Sequence, residues 1–403
     1  MISVAEALQR VLDGVDRMPM ESINLAAAHG RVLARDVVAR LTQPPSDVSA
    51  MDGYAVRAAD VVKVPATLTQ IGESAAGSAF DGTIGPGQTA RIFTGAPVPK
   101  GADAIVIQED TETDGDQITM TEAPSPGRFI RPAGLDFHAG DVGIAANRVL
   151  SARDIGLAAA MNVPWLSVTR APRIALLATG DEIVRPGEPV GPNQIISSNT
   201  LALMGLIAAS GGEAIDLGIA SDDEDSLRAL AAGARGADML VTLGGASVGD
   251  HDLVRKVLGA DGLELNFWRI AMRPGKPLIF GKIGDTPMMG MPGNPVSSLV
   301  CGLVYLRPAI RAMLGLDPHA ATQTARLGRD LAANDQRQDY LRATAATNGE
   351  GEMVVTPFDK QDSSMLSRLA RADCLILRAP HAEPAKAGDR VEILPLNGES
   401  ACI

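Results

Sequence analysis

Three stretches decide the fold: RIALLATG (173–180), DMLVTLGG (238–245) and MMGMPGNPVSSLVCGL (288–303). The first two are short apolar strands that end in glycine. The third ends a strand, turns at Pro-Gly-Asn-Pro and opens an apolar helix at Ser297-Ser298. Between them the rhythm repeats. NTLALMGLIAASGG (199–212) reads as a helix closed by glycine, EAIDLGIA (213–220) as a strand, and SLRALAAGARG (226–236) and HDLVRKVLG (251–259) as helices. Strands alternating with helices predict a parallel α/β sheet with crossover helices over 172–316. Ligands of such sheets bind beyond the strand carboxyl ends, where the Gly-rich and charged residues of this segment fall.

The flanks differ. MISVAEALQRVLDG at the N-terminus reads as an amphipathic helix, not as a signal peptide. LTQPPSDVSAMDGYAV (41–56) reads as a structured loop. ATLTQIG, QTARIFTG, ADAIVIQED and DQITMTEA, between 66 and 123, read as short strands of a small β domain. LSARDIGLAAAMNV (150–163) returns to helix, so the β domain is expected as an insertion into a helical one. After 317, YLRATAAT, MVVTPF, CLILRA and RVEILPL predict a small β-barrel or sandwich.

At 403 residues the chain has room for two to four domains. Aromatic residues make up only 3%, which argues against a base-stacking surface. A net charge of -12 repels nucleic acid and anionic membranes, so an anionic ligand needs a local basic cluster. Cys301, Cys374 and Cys402 form no Cys-x-x-Cys pair; Cys301 and Cys374 read as small core residues, and the cytoplasm is the expected compartment. No apolar run is expected to reach the roughly 20 residues that span a bilayer.

Four constellations could carry chemistry. In VTLGGASVGDHD (241–252), Gly244 and Gly245 allow close backbone approach to a ligand, and Ser247, Asp250 and Asp252 follow before a helix. A plain βα turn with Asp250 or Asp252 as N-cap explains the same residues, and the Walker spacing is missing. In WRIAMRPGKPLIFG (268–281), Arg269, Arg273 and Lys276 form the basic cluster the acidic chain requires, beside Pro274 and Gly275. Around Gly293 and Asn294, Ser297 can both cap a helix and bind phosphate. The fourth group is acidic: Asp181 and Glu182 follow the first strand, Asp222 to Asp225 precede a helix, and Asp52 and Asp136 lie in loops elsewhere. Helix-dipole complementarity accounts for 222–225 without function. Oxygen-only acids beside phosphate suit Mg²⁺, whereas five scattered histidines do not suggest zinc or iron.

SAMDGYAV, RIFTGAPVPKGADAIVIQED, IRPAGLDFHAGD, ATGDEIV, GGASVGDHD, RPGKPLIFGK and MPGNPVSS occur in one order along the chain. Together they closely resemble the MoeA and gephyrin E-domain family of molybdopterin molybdenumtransferases. The resemblance implies insertion of molybdenum from molybdate into adenylylated molybdopterin with release of AMP, helped by Mg²⁺. It implies a homodimer whose cleft joins the α/β domain of one subunit to the small β domain of the other. Transient contact with the adenylyltransferase and with acceptor molybdoenzymes follows; nucleic acid and membrane partners do not. It divides the chain into a helical linker and dimerisation unit (1–45 and 140–171), an inserted small β domain (46–139), the α/β domain (172–316) and a C-terminal β-barrel (317–403).

By the same resemblance Asp52, Asp136, Glu182, Asp222, Asp252, Arg273 and Lys276 are the expected catalytic residues. Glu182, Asp222 and Asp252 are the expected metal ligands. Thr94, Arg131, Gly244, Gly245, Ser247, Arg269, Pro277, Gly293, Asn294, Ser297, Arg342, Ser363 and Ser364 are expected to bind substrate. Positions 269 and 273 are often lysine in the family and are arginine here. Arginine stays protonated, so these positions are expected to clamp oxyanions, not to act as bases. The competing readings are a molybdopterin adenylyltransferase, which the extra domains oppose, and a non-catalytic molybdopterin-binding scaffold.

Overall fold

A computed structural model describes residues 1–244, 257, 259 and 262–396. The α/β domain is built on β1 (Arg173–Thr179), β2 (Glu213–Ala220), β3 (Met239–Leu243), β4 (Leu263–Phe267), β5 (Ile279–Ile283) and β6 (Thr286–Met291). These form one sheet in the order β2-β1-β3-β6-β5-β4. The first four strands are parallel, as the alternation of strand and helix predicts. β5 alone runs the other way, antiparallel to both its neighbours, β6 and β4. The reason is local: Gly284-Asp285 turns β5 directly into β6, which leaves no chain for a crossover helix. β1 is buried along almost its whole length and feeds both sheet faces. Ile174 and Leu176 join Leu203, Val241, Phe280 and Val300 in one core, while Ala175 and Leu177 join Leu227, Leu240 and Met288 in the other.

The apolar run at Pro295–Met313 is helical throughout, with a π-helical stretch at Gly302–Leu306. It is long enough by length and composition to cross a bilayer, contrary to the sequence expectation, but most of it is buried in the core. Its apolar character is that of a helix packed on several sides. Cys301 is fully buried there, and desolvation raises its thiol pKa; Cys374 is buried in the barrel and pushed up to about 11.

The N-terminal helix Val4–Asp13 is capped by Ser3, whose side chain accepts the Glu6 N–H at 3.1 Å. Its inward stripe, Val4, Ala7 and Val11, packs into the α/β core, not into the unit that follows it in sequence. That following unit is less helical than its sequence suggested. Met20–Asn24 pairs with Trp165–Thr169, and Val37–Val38 with Val142–Ile144. Its one regular helix, among the described residues, is Ala152–Ala160, held by a Ser151–Asp154 capping box. The alternating burial of Met20–Asn24 is a two-residue period, which a helix cannot satisfy.

Residues 53–120 form a curled six-stranded sheet in the order Ala104–Ile107, Gly53–Val56, Gln88–Ile92, Ala66–Ser74, Gln117–Met120, Thr111–Asp114. At the C-terminal end, Gln338–Thr347, Met353–Pro357, Gln323–Leu327, Arg390–Pro395 and Cys374–Arg378 pair in a ring, because the first also pairs with the last. This is a closed five-stranded barrel, which leaves no free sheet edge among those strands. A short strand from the α/β domain, Met272–Arg273, attaches to it in parallel at Gln338–Asp339.

Candidate active site

Beyond the carboxyl ends of β1, β3 and β6 lies a cleft of about 620 Å³. Its lining draws on Thr179, Glu182, Gly244, Pro277, Asn294, Ser297 and, from the barrel end, Ser364. The sheet brings these together because consecutive parallel strands release their loops on the same side. Gly244 has φ +92, and a Cβ there would sit 2.9 Å from the Thr179 carbonyl oxygen. Only glycine lets β3 turn so close to β1.

Asn294 occupies the N-cap of the helix Pro295–Cys301 but makes no side-chain cap bond. Its Nδ2 donates instead to Ser363 Oγ at 3.0 Å, while the Val296 N–H donates to the Ser363 carbonyl at 3.1 Å. Two bonds therefore fasten the α/β domain to the loop that carries Ser364. Gly293 is held from the other side, where Asn199 Nδ2 donates to its carbonyl at 2.7 Å. Ser297 is buried with its residue facing the cleft. Arg342 is almost fully buried beneath the 361–364 loop: Nη2 donates to the Asp362 carbonyl at 3.0 Å, and Nε has no hydrogen-bond partner. Burial lowers its pKa.

The acids are less gathered than their sequence suggested. The Asp222 N–H donates to Asp181 Oδ1 at 3.2 Å, which sets these two side by side. Glu182 lines the cleft, and Asp181 lines a smaller neighbouring one with Arg185 and Ser221. No group of three or more His, Cys, Asp or Glu residues able to hold a metal forms among the described residues. Gly245, Ser247, Asp250 and Asp252 lie outside the described residues.

The basic loop divides its labour. Lys276 is exposed directly before Pro277, which lines the cleft. Arg269 stacks on Trp268 at 4.2 Å, and its Nε has no hydrogen-bond partner. Arg273 departs from expectation: its guanidinium is bound by Asp339, Asp335 and Asn334 of the C-terminal region. Four of its five N–H donors are taken by these partners.

The small β domain carries a second cluster. Asp52 Oδ1 accepts both the backbone N–H and the hydroxyl of Thr94, at 2.7 and 2.8 Å. Those bonds hold the Asp52 carboxyl below its ordinary pKa. Arg131 and Asp136 line a cleft of about 700 Å³ with Gln43, Pro44 and Leu135. None of these four expected residues lines the α/β cleft of the same chain.

Sequence reading missed one wall. Ile195, Ile196, Ser197, Ser198 and Asn199 line the α/β cleft, brought there by the pairing of Ile195–Ile196 with Ile183–Val184. The signal was present in the polar run Ser197-Ser198-Asn199 at a helix start, where open N–H groups and small hydroxyls meet.

The arrangement as a whole has known relatives. The chain matches the model of the MoeA N-terminal region over residues 2–162, of a probable molybdopterin-binding domain over 175–312, and of the MoeA C-terminal region over 324–396. It is 34% identical over 385 residues to a molybdopterin molybdenumtransferase of Haemophilus influenzae, covering 94% of each chain. The chain belongs to the MoeA family of molybdopterin molybdenumtransferases. A Nostoc relative with the same name is 39% identical over 73% of this chain and 70% of its own. The structure of a molybdopterin biosynthesis MoeA protein from Pyrococcus superposes with a TM-score of 0.85 at 30% identity, covering 99% of this chain and all of that one. The MoeA family assignment thus rests on the domain order as well as on the loops.

Proposed function

We propose that this chain transfers molybdenum from molybdate into adenylylated molybdopterin, releasing AMP. The observation that carries this reading is the α/β cleft, with a basic loop and an acid-bearing loop at its rim, in a chain that matches the Haemophilus enzyme over 94% of its length. Lys276 and Arg269 supply positive charge for phosphate or molybdate oxygens. The buried Ser297 hydroxyl, at the start of the helix that Asn294 opens, helps to fix their orientation. Asp52, Thr94, Arg131 and Asp136 form the other half of the site, contributed by a second subunit. The apolar, exposed Val38, Val142 and Trp165 of the linker unit support a homodimer.

Mg²⁺ is the cation we assign, held by Glu182, Asp222 and Asp252. The Asp222 N–H bond to Asp181 Oδ1 brings the loops that carry Glu182 and Asp222 together, and carboxylate oxygens are the ligands Mg²⁺ prefers. When bound, Mg²⁺ supplies charge stabilisation to the departing AMP phosphate. The protein's own part is to bind the pterin and nucleotide ends, orient them and exclude water. The reading also implies a cytoplasmic enzyme that meets the adenylyltransferase upstream and acceptor molybdoenzymes downstream.

The test is an assay of the purified protein with adenylylated molybdopterin, molybdate and Mg²⁺. AMP and molybdenum cofactor are expected, and Asp252→Ala is expected to abolish AMP release while the dimer persists. ATP-dependent adenylylation of molybdopterin would instead support an adenylyltransferase. Neither product, with pterin binding retained, would leave a scaffold. Chelation of divalent cations is expected to stop AMP release and added Mg²⁺ to restore it.

A further inference from the structure

Arg273 lies three residues before Lys276 in the basic loop, and on charge alone the two look equivalent. Their surroundings differ. Met272–Arg273 runs parallel to Gln338–Asp339 at the start of a barrel strand, and the Gln338 N–H donates to the Ala271 carbonyl at 2.9 Å. The Arg273 guanidinium then reaches across this seam. Nε donates to Asp339 Oδ1 at 2.8 Å, and Nη2 bonds the second oxygen of the same carboxylate. Nη1 donates to Asp335 Oδ2 and Nη2 to Asn334 Oδ1, each at 3.2 Å.

Asp339 is only 4% exposed. A carboxylate so buried needs a cation, and among the described residues Arg273 is bonded to it. The two-pronged match also explains why arginine suits this position. A guanidinium fork satisfies both carboxylate oxygens and still reaches Asp335 and Asn334, which a lysine ammonium cannot do at once.

The consequence falls on the cleft. Pro277 lines it from the α/β side and Ser364 from the barrel side. The gap between them is set by the bonds that join the two domains. Asn294 and Val296 on Ser363 tie one place, and Arg273 on Asp339 ties another.

We propose that Arg273 is a positioning residue, a strut that holds the barrel to the α/β domain and sets where Lys276 and Pro277 stand, and that it does not bind substrate oxygens. This rests on the cleft being the molybdate and nucleotide site. The test compares Arg273→Gln, Asp339→Asn and the double variant. Two readouts are used: kcat and KM for molybdate in AMP release, and hydrogen exchange of the Gln338 amide in the ligand-free protein. A strut predicts that both single variants raise KM about five- to tenfold, and that the double variant is no worse than the worse single. It also predicts that Gln338 exchange speeds up about tenfold in each. Arg273→Lys is expected to fall between wild type and Arg273→Gln, and it replaces the latter if that variant does not fold. If Asp339→Asn keeps wild-type KM and exchange while the Arg273 variant loses molybdate affinity, Arg273 is a substrate ligand and the proposal is overturned. If the wild-type protein releases no AMP, the functional reading fails by itself. Gln338 exchange then still decides the strut, and unchanged exchange in both variants overturns it.

Discussion

The α/β cleft and the small-domain cleft are built in opposite ways. The first takes its walls from strand ends, a helix start and a barrel loop that are far apart in sequence, and cross-domain bonds such as Asn294–Ser363 lock them together. The second is local. Arg131 and Asp136 line it five residues apart in one segment, and next to Gly95 of its wall Asp52 and Thr94 bond each other at the ends of neighbouring strands. A site of the first kind depends on domain packing. A site of the second kind is a preformed patch that lines its own cleft and not the α/β cleft of the same chain.

The largest effect should come from disabling one half at a time. Lys276→Ala and Asp136→Ala should each lower AMP release on the order of 10²–10³-fold. Mixing the two inactive proteins under conditions of subunit exchange should restore part of the activity, because a mixed dimer keeps one intact composite cleft. AMP release that stays at the level of the inactive parents, with exchange verified, would break the two-subunit picture.

The packing-dependent half should also be the less tolerant of backbone change. Gly275 has φ +113, and a Cβ there would lie 2.5 Å from the buried Cys301 sulfur. Gly275→Ala should cost about 2–4 kcal/mol in a denaturation experiment, from strain and overpacking together. The same change at Gly77, which also lines the small-domain cleft and where nothing lies within 4 Å, should cost only about 1 kcal/mol. Equal costs at the two would remove the distinction.

A smaller effect concerns the cross-domain bond. Asn294→Ala should lower kcat/KM about tenfold, near 1.4 kcal/mol, by freeing the loop that carries Ser364. Steady-state kinetics with molybdate as the varied substrate measures it.

The smallest effects are electrostatic. Asp52 is held below the ordinary aspartate pKa mainly by the Thr94 backbone N–H, with the hydroxyl next. Its contribution to stability is therefore fully present above that value and lost as pH falls through the lower folded-state pKa. Thr94→Val should move the Asp52 titration upward, read by NMR, while the backbone bond keeps it partly depressed. Asp335, held down to about 2 by Arg337, with Arg273 as a further cation, should make the strut acid-sensitive in the same direction, between about pH 4 and 2.

Much of this architecture was legible in residue order. The apolar runs ending in glycine at 180, 244 and 293 announced strands whose loops share one side of a sheet, and seven loop motifs in order announced the family. Less legible was whatever depends on which surface meets which. The N-terminal helix shows an apolar stripe in sequence, but nothing there says that the α/β core receives it. The ribbon Met20–Asn24 is too short for its period to stand out. The run at Pro295–Met313 looks apolar for the same reason a membrane helix does, and only its burial separates the two.

The basic loop puts this division most sharply. By itself the sequence determined that a local cluster of Arg269, Arg273 and Lys276 stands in an acidic chain, because formal charge and loop chemistry are properties of the residues alone. Tertiary structure decided which of these charges is already paired. Arg273 is neutralised by Asp339, a carboxylate 66 residues away that the barrel buries at the same seam. A buried acid commands the nearest guanidinium, and no spacing rule along the chain can tell which one that will be.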